Sequence, residues 1–141
     1  MNGFEILNVI ANDGVACKYF GGLMAINRLH STPSERIFYV CNTDLWENDG
    51  KHWVVLYRIN DIFEYFDPIG NEPDILFTNF MKKYTQRIIF NKKSVQPLLS
   101  STCGEYCIFF SSMRSRDIQF NDILRYMEND KTVIDFVKDL H

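Results

Sequence analysis

No run of apolar residues in this chain approaches the ~20 needed to cross a bilayer, so no membrane span is expected. The amino terminus, Met-Asn-Gly-Phe-Glu, has no basic stretch followed by an apolar one. A secretory signal is therefore not expected, and the chain reads as intracellular. Cysteine is sparse: Cys17, Cys41, Cys103 and Cys107 are all there is, and no two form a Cys-x-x-Cys pair. A zinc site is poorly supported, no metal or cofactor is expected, and in a reducing compartment the four should be free thiols. Excess positive charge is also missing, since 15 Lys and Arg stand against 18 Asp and Glu for a net charge of -3. Nucleic-acid binding needs clustered cations, and Lys82-Lys83, Lys92-Lys93, Arg114 and Arg116 read instead as solvated faces. Internal repeats, low-complexity segments and linkers are absent, which leaves one domain over residues 1–141.

What is present is apolar and aromatic: 46% hydrophobic and 15% aromatic residues, enough for a packed core at this length. Phe4, Leu7 and Ile10 share one face of a helix over residues 4–11, which Asn12-Asp13-Gly14 ends. Gly21-Gly22 lies in a segment, closing at Pro33, that could be helix or loop. A strand is expected over 36–41. A polar stretch carrying Asn42, Asp44, Glu47, Asn48, Asp49 and Gly50 follows. Two strands, 52–59 and 62–66, flank Asn60-Asp61 as a tight turn. A helix over 73–84, a strand near 87–91, an apolar helix over 103–113 and two amphipathic helices, 118–128 and 132–140, complete the chain. The class is α+β, with a central mixed or antiparallel sheet, a buried helix and flanking helices.

Chemistry concentrates around Cys103. Thr102 and Glu105 have capping-box spacing, which makes Cys103 the first helical residue. A thiol there meets the positive end of the helix dipole, which favours the thiolate. Two readings stand at this point, nucleophile or small core residue. Gly104 costs about 1 kcal/mol relative to alanine inside a helix, a cost that makes sense if something must approach the backbone closely. A thiolate attacking a carbonyl needs a base that also protonates the leaving amine. Of the three histidines, His141 is terminal and His30 lies in a loop-like stretch, whereas His52 opens an apolar strand beside a polar loop. Trp53 then points to the opposite face.

If Asn60-Asp61 is a two-residue turn, Ile59 pairs with Ile62, Tyr57 with Glu64 and, by extension, Val54 with Asp67. Asp67 then lies one diagonal step from His52 on the same face, roughly 7–8 Å away at the backbone. A carboxylate there would orient the imidazole and stabilise its charged form. A one-residue change of register would put it on the other face, and Asp67 could equally be a turn residue capping its own backbone. Gln96, held extended by Pro97, could aim its amide beside the sulfur and form an oxyanion hole with the Cys103 N–H. A loop glutamine is otherwise solvated.

Taken in order, His52-Trp53-Val54-Val55, Tyr65-Phe66-Asp67-Pro68-Ile69-Gly70 and Val95-Gln96 with Thr102-Cys103-Gly104-Glu105-Tyr106-Cys107 resemble the adenovirus-type maturation proteases. These share a clan of cysteine peptidases with the ubiquitin-like-protein proteases. Virophage and Polinton-type enzymes are the most alike in size. The order histidine, acid, glutamine, cysteine separates this clan from papain-like enzymes. The resemblance implies a helix carrying Cys103 packed on a sheet that presents His52 and Asp67, with Gln96 as the oxyanion donor. Tyr19-Phe20-Gly21-Gly22 resembles an early substrate-side loop, so Gly21, Gly22, Trp53 and Gly104 are expected to bind substrate.

Cleavage after glycine, at Gly-Gly or Gly-x-Gly sites in viral capsid precursors, is implied, by a monomer acting in the host cytoplasm or viral factory and packaged in the virion. Family members can be activated by DNA or by a peptide that adds to the sheet, and the acidic balance argues against DNA here. A deubiquitinase or desumoylase using the same residues, or a non-catalytic binding domain of this fold, are the competing readings. Asp67 differs from the glutamate of many adenoviral enzymes, and the chain is much shorter than they are. Cys107, one turn after Cys103, is expected as a silent core thiol.

Overall fold

The computed structural model describes residues 1–30, 34–44, 52–97 and 100–141. Glu47, Asn48, Asp49, Gly50 and Pro33, assigned above to loops, lie outside them. The elements run α1 (Gly3–Ala11), a 3₁₀ turn (Ala16–Lys18), β1 (Phe20–Ala25), β2 (Arg36–Asn42), β3 (Trp53–Ile59), β4 (Ile62–Phe66), α2 (Ile75–Lys82), β5 (Arg87–Phe90), α3 (Cys103–Ser115), α4 (Phe120–Tyr126) and α5 (Asp130–Leu140). The five strands form one sheet in chain order. It is mixed: β2–β3 and β3–β4 are antiparallel, while β1–β2 and β4–β5 are parallel. Parallel neighbours need a crossover rather than a hairpin, and α2 supplies it between β4 and β5.

Strand alternation sorts the core into two layers. Ile37, Tyr39, Cys41, Val54, Leu56, Phe63 and Tyr65 face α2, where Phe77, Phe80 and Met81 cover them. Phe38, Val40, Trp53, Val55, Tyr57 and Phe66 face the other way, against α1, α3, α4 and α5. Successive strand residues point to opposite faces, so a sheet buried on both sides reads as a continuous apolar run rather than a polar alternation.

Helix α3 lies across the second layer. Of its 13 residues only Glu105 and Met113 are not buried, and a helix apolar nearly all round belongs inside. Side-chain contacts hold it to the sheet, among them the following. Phe110 stacks on Phe66 with ring centroids 4.6 Å apart, a geometry worth about 0.5–1.5 kcal/mol beyond the area buried. Tyr57 Oη and Ser115 Oγ share a 2.8 Å hydrogen bond. Arg114 Nε donates to Glu64 Oε1 at 2.7 Å, a buried ion pair.

The β3–β4 hairpin has the expected register, with Ile59 opposite Ile62 and Tyr57 opposite Glu64, and the ladder ends at Val55 opposite Phe66. Asn60 takes a left-handed φ of 54° in the turn, a conformation asparagine tolerates. Several expectations fail. Arg114, read as part of a solvated face, is buried against Glu64, and α1 buries Ile6, Val9 and Ile10 while Phe4 and Leu7 stay exposed. Gly21-Gly22 is neither helix nor loop but part of β1, an edge strand whose register shifts between Phe20 and Gly22. A glycine pair has poor strand propensity, and here the close approach of β2 selects it. A Cβ at Gly21 would lie 2.5 Å from the Tyr39 ring and 2.8 Å from Ile37 Cδ1. The capping box at Thr102 does not form either, because Thr102 Oγ1 bonds Ser100 Oγ at 2.9 Å and no side chain caps α3.

Candidate active site

The hairpin ends create the site. His52 stands one residue before β3, and its carbonyl accepts from Thr43 N–H at 3.0 Å, so the strand pairing of β2 and β3 fixes its backbone. Asp67 stands one residue after β4. Because the register is as expected, both side chains reach the same end of the sheet, and His52 Nε2 lies 2.6 Å from Asp67 Oδ1. Asp67 is 2% exposed and the His52 side chain 18%, so this charged contact is largely shielded from water. Asp67 Oδ1 also accepts from Ile69 N–H at 2.9 Å. Asp67 Oδ1 thus caps its own turn and hydrogen bonds the His52 ring at once.

Cys103 enters from α3. With Nε2 committed to Asp67, the other ring nitrogen of His52 is left to face the Cys103 sulfur, and each group shifts the titration of the other. Burial alone would disfavour a charged imidazole, but hydrogen bonding to Asp67 and Cys103 and their negative charge overcome it and push His52 up to about 9. Burial alone would also raise the Cys103 thiol, but hydrogen bonds from His52 and the Trp53 N–H hold it below its ordinary value. The two shifts agree in direction: the contact favours the charged form of each group. Cys107, one turn on, is the opposite case. Its thiol donates to the Trp53 carbonyl at 3.2 Å, and complete burial pushes it well up, so it carries no thiolate.

Gln96 is tied to the turn after Asp67 by its N–H, which donates to Pro68 O at 3.2 Å, but its side-chain amide is turned to Ser100 rather than aimed beside the sulfur as expected. Its Nε2 donates to Ser100 O at 3.1 Å and Ser100 Oγ at 3.2 Å, and Ser100 Oγ bonds Thr102, the residue before Cys103. The amide is therefore hydrogen bonded to the turn that leads into α3. The four expected substrate residues divide. Gly22 has a φ of 130° with open space around it. Gly21 packs inside the sheet layer. At Gly104 the close approach to the backbone comes from Met1 and Ile6, 3.1 and 3.5 Å from a Cβ built there. Trp53 is 8% exposed and donates its indole N–H to the Met1 carbonyl at 3.1 Å. Gly104 and Trp53 thus pack against the amino-terminal segment rather than forming an open wall.

Sequence reasoning passed over one contributor. Asn91, 3% exposed, follows β5 and bonds Asp67 on both sides: it accepts from Asp67 N–H at 3.0 Å and donates to Asp67 O at 2.6 Å. A lone asparagine after a strand reads as a loop residue, and only pairing across 24 positions gives it this place. Among the described residues no group of three or more His, Cys, Asp or Glu side chains is placed to hold a metal ion.

The comparisons with known proteins follow this geometry. Over 99% of its length the chain superposes on the African swine fever virus protease pS273R, with a TM-score of 0.72 at 18% identity, covering 66% of that protein. It also superposes along its whole length on the SUMO protease Ulp1, with a TM-score of 0.55 at 14% identity, covering 79% of that chain. The fold is that of the Ulp1-type cysteine proteases. In sequence, 110 residues align at 24% identity with the viral cysteine protease pS273R. That alignment takes in 69% of this chain and only 40% of the viral protein. No protein-family model matches the chain.

Proposed function

We propose that this chain is a cysteine endopeptidase of the adenovirus and virophage type, cleaving after glycine in viral capsid precursors. The observation that carries the reading is the buried 2.6 Å contact between Asp67 and His52 at the end of the sheet, with Cys103 brought against the imidazole as the first residue of a buried helix. Sequence likeness to a viral cysteine protease supports it. In the proposed cycle the imidazolium–thiolate pair meets a peptide, and the Cys103 sulfur bonds to the carbonyl carbon. The resulting oxyanion takes hydrogen bonds from the Cys103 N–H and from the Gln96 amide, which exchanges its Ser100 partners for the substrate oxygen. As the C–N bond breaks, His52 gives its proton to the departing amine, leaving a thioester. Water, losing a proton to His52, attacks the thioester carbonyl. The acid product leaves, and the sulfur returns as thiolate beside the protonated imidazole. Asp67 holds the ring throughout and favours its charged form.

Preference for Gly-Gly or Gly-x-Gly sites follows from the motifs that resemble the adenovirus-type enzymes. The same likeness would have the protein act as a monomer in the cytoplasm or viral factory and enter the virion. The test pairs the wild type with Cys103→Ala on a Gly-Gly peptide, with products read by mass spectrometry. Cleavage by the wild type alone is expected. Turnover by Cys103→Ala, or failure of the wild type on every glycine site of the companion capsid proteins, would reject the proposal. Because Ulp1 is a SUMO protease of this fold, ubiquitin-like precursors belong in the same assay. Their cleavage in place of capsid precursors would favour a deconjugating enzyme.

A further inference from the structure

We propose that Asn91 is a positioning residue, setting both the acid and the oxyanion donor of the site through one buried amide. The inference rests on the proteolytic reading above and concerns the geometry of the same site.

The parallel ladder between β4 and β5 runs from Ile62 opposite Arg87 to Tyr65 opposite Phe90 and then stops. Two residues on, the buried Asp67 would be left with an unpaired N–H, a costly arrangement for a buried peptide, and with a C=O that accepts only from the Gly70 N–H of its own turn at 2.9 Å. The Asn91 side chain takes the place of the missing strand. Its Oδ1 accepts from Asp67 N–H at 3.0 Å and its Nδ2 donates to Asp67 O at 2.6 Å. A side-chain amide has the donor and acceptor of a peptide group, so it can mimic one more rung while the Asn91 backbone turns away. Asp67 is thereby held in sheet-like register one residue past the sheet, where its carboxylate meets His52.

The second Nδ2 hydrogen makes the link to Gln96. Asn91 Nδ2 also donates to Lys93 O at 3.1 Å, which fixes the course of the chain beyond β5. That course runs back over the turn after Asp67. The single carbonyl of Pro68 accepts from Val95 N–H at 2.8 Å, from Gln96 N–H at 3.2 Å and from Ser94 Oγ at 3.2 Å. Gly70 closes the contact from below, with a φ of 77° and no room for a Cβ, which would lie 2.5 Å from the Lys93 carbonyl carbon. The acid and the glutamine, 29 positions apart in the chain, therefore ride on one hydrogen-bonded unit of two turns, in which Asn91 bonds the backbone of both Asp67 and Lys93.

The test compares wild type with Asn91→Ala and Asn91→Leu, the latter keeping the side-chain volume if the alanine variant does not fold. The first readout is the pH profile of Cys103 alkylation by iodoacetamide, followed by mass spectrometry, which needs no substrate. If Asn91 positions Asp67, its loss lets the His52 contact lengthen, and the profile moves to higher pH, toward an ordinary thiol. The second readout is cleavage of the Gly-Gly peptide, where kcat should fall roughly 10- to 100-fold, as expected for a sub-ångström misplacement, with KM little changed. A folded variant whose alkylation profile superimposes on that of the wild type overturns the proposal, whatever its melting temperature, since a purely structural role would lower stability and leave the profile in place. Failure of the wild type on the peptide would sink the proteolytic reading and leave the alkylation comparison to decide the role of Asn91.

Discussion

Replacing Asp67 by asparagine isolates the charge of the acid from its shape. Asparagine has the same volume, and its Oδ1 can still accept the Ile69 N–H that aspartate accepts at 2.9 Å, so the turn should survive. It can also still accept from His52 Nε2. What is lost is the carboxylate charge in a contact of 2.6 Å whose aspartate is 2% exposed. A hydrogen bond to a charged group contributes about 1.5–3 kcal/mol and a neutral one about 0.5–1.5, so the imidazolium loses about 1–2 kcal/mol. At 1.36 kcal/mol per pH unit that moves the thiolate–imidazolium balance by about one unit, or 5- to 30-fold. The ceiling is consistent: an ordinary thiol near 8.5 is ~3% ionised at pH 7, so full ion pairing gains at most about 30-fold in thiolate. The assay is the second-order rate of Cys103 alkylation by iodoacetamide between pH 5 and 9. Asp67→Asn should react 5- to 30-fold more slowly at pH 7, with its acid limb moved up by about one unit. A folded Asp67→Asn protein with the rates and profile of the wild type would show that His52 is not poised by this carboxylate, and the argument for the site would fail.

Two further outcomes follow from other parts of the molecule. Asp13 is buried, a loss of solvation that alone would raise its carboxyl, but bonds from Arg116, Ser112 and the Ala16 and Val15 N–H groups bring it down to about 2 from 3.8. A depressed carboxyl gives stability that is present above its unfolded value and lost as pH falls through the folded one. The wild type should therefore lose about 2 kcal/mol between pH 4 and 2 that Asp13→Asn does not lose, seen in urea titrations; a constant difference across that window would contradict it. Gly70→Ala forces a side chain into a left-handed φ of 77° against the Lys93 and Ser94 backbone. It should cost about 1–3 kcal/mol in thermal or urea unfolding, and because the displaced segment carries Gln96, the folded fraction should also lose turnover.

Much of the fold is written in local pattern. Residues 53–59 and 62–66 have strand character, Asn60-Asp61 makes a two-residue turn, and the register counted from that turn sends Asp67 back toward His52. Period and turn length are local quantities, so they survive into the fold. The near-unbroken apolar run from Cys103 marks a helix that can only be interior. Tertiary structure decided which partner each polar group takes. Thr102 had the spacing to cap α3, but Ser100 was nearer. Gly21-Gly22 lacks strand propensity, and pairing with β2 made it strand, while at Gly21 the Ile37 and Tyr39 side chains leave no room for a Cβ. Asn91 carries no signal of its own, and its amide acquires a role only when the ladder between β4 and β5 ends at Tyr65, two residues before Asp67. A hydrogen bond across 24 positions depends on where two backbones arrive, and no local periodicity encodes that arrival.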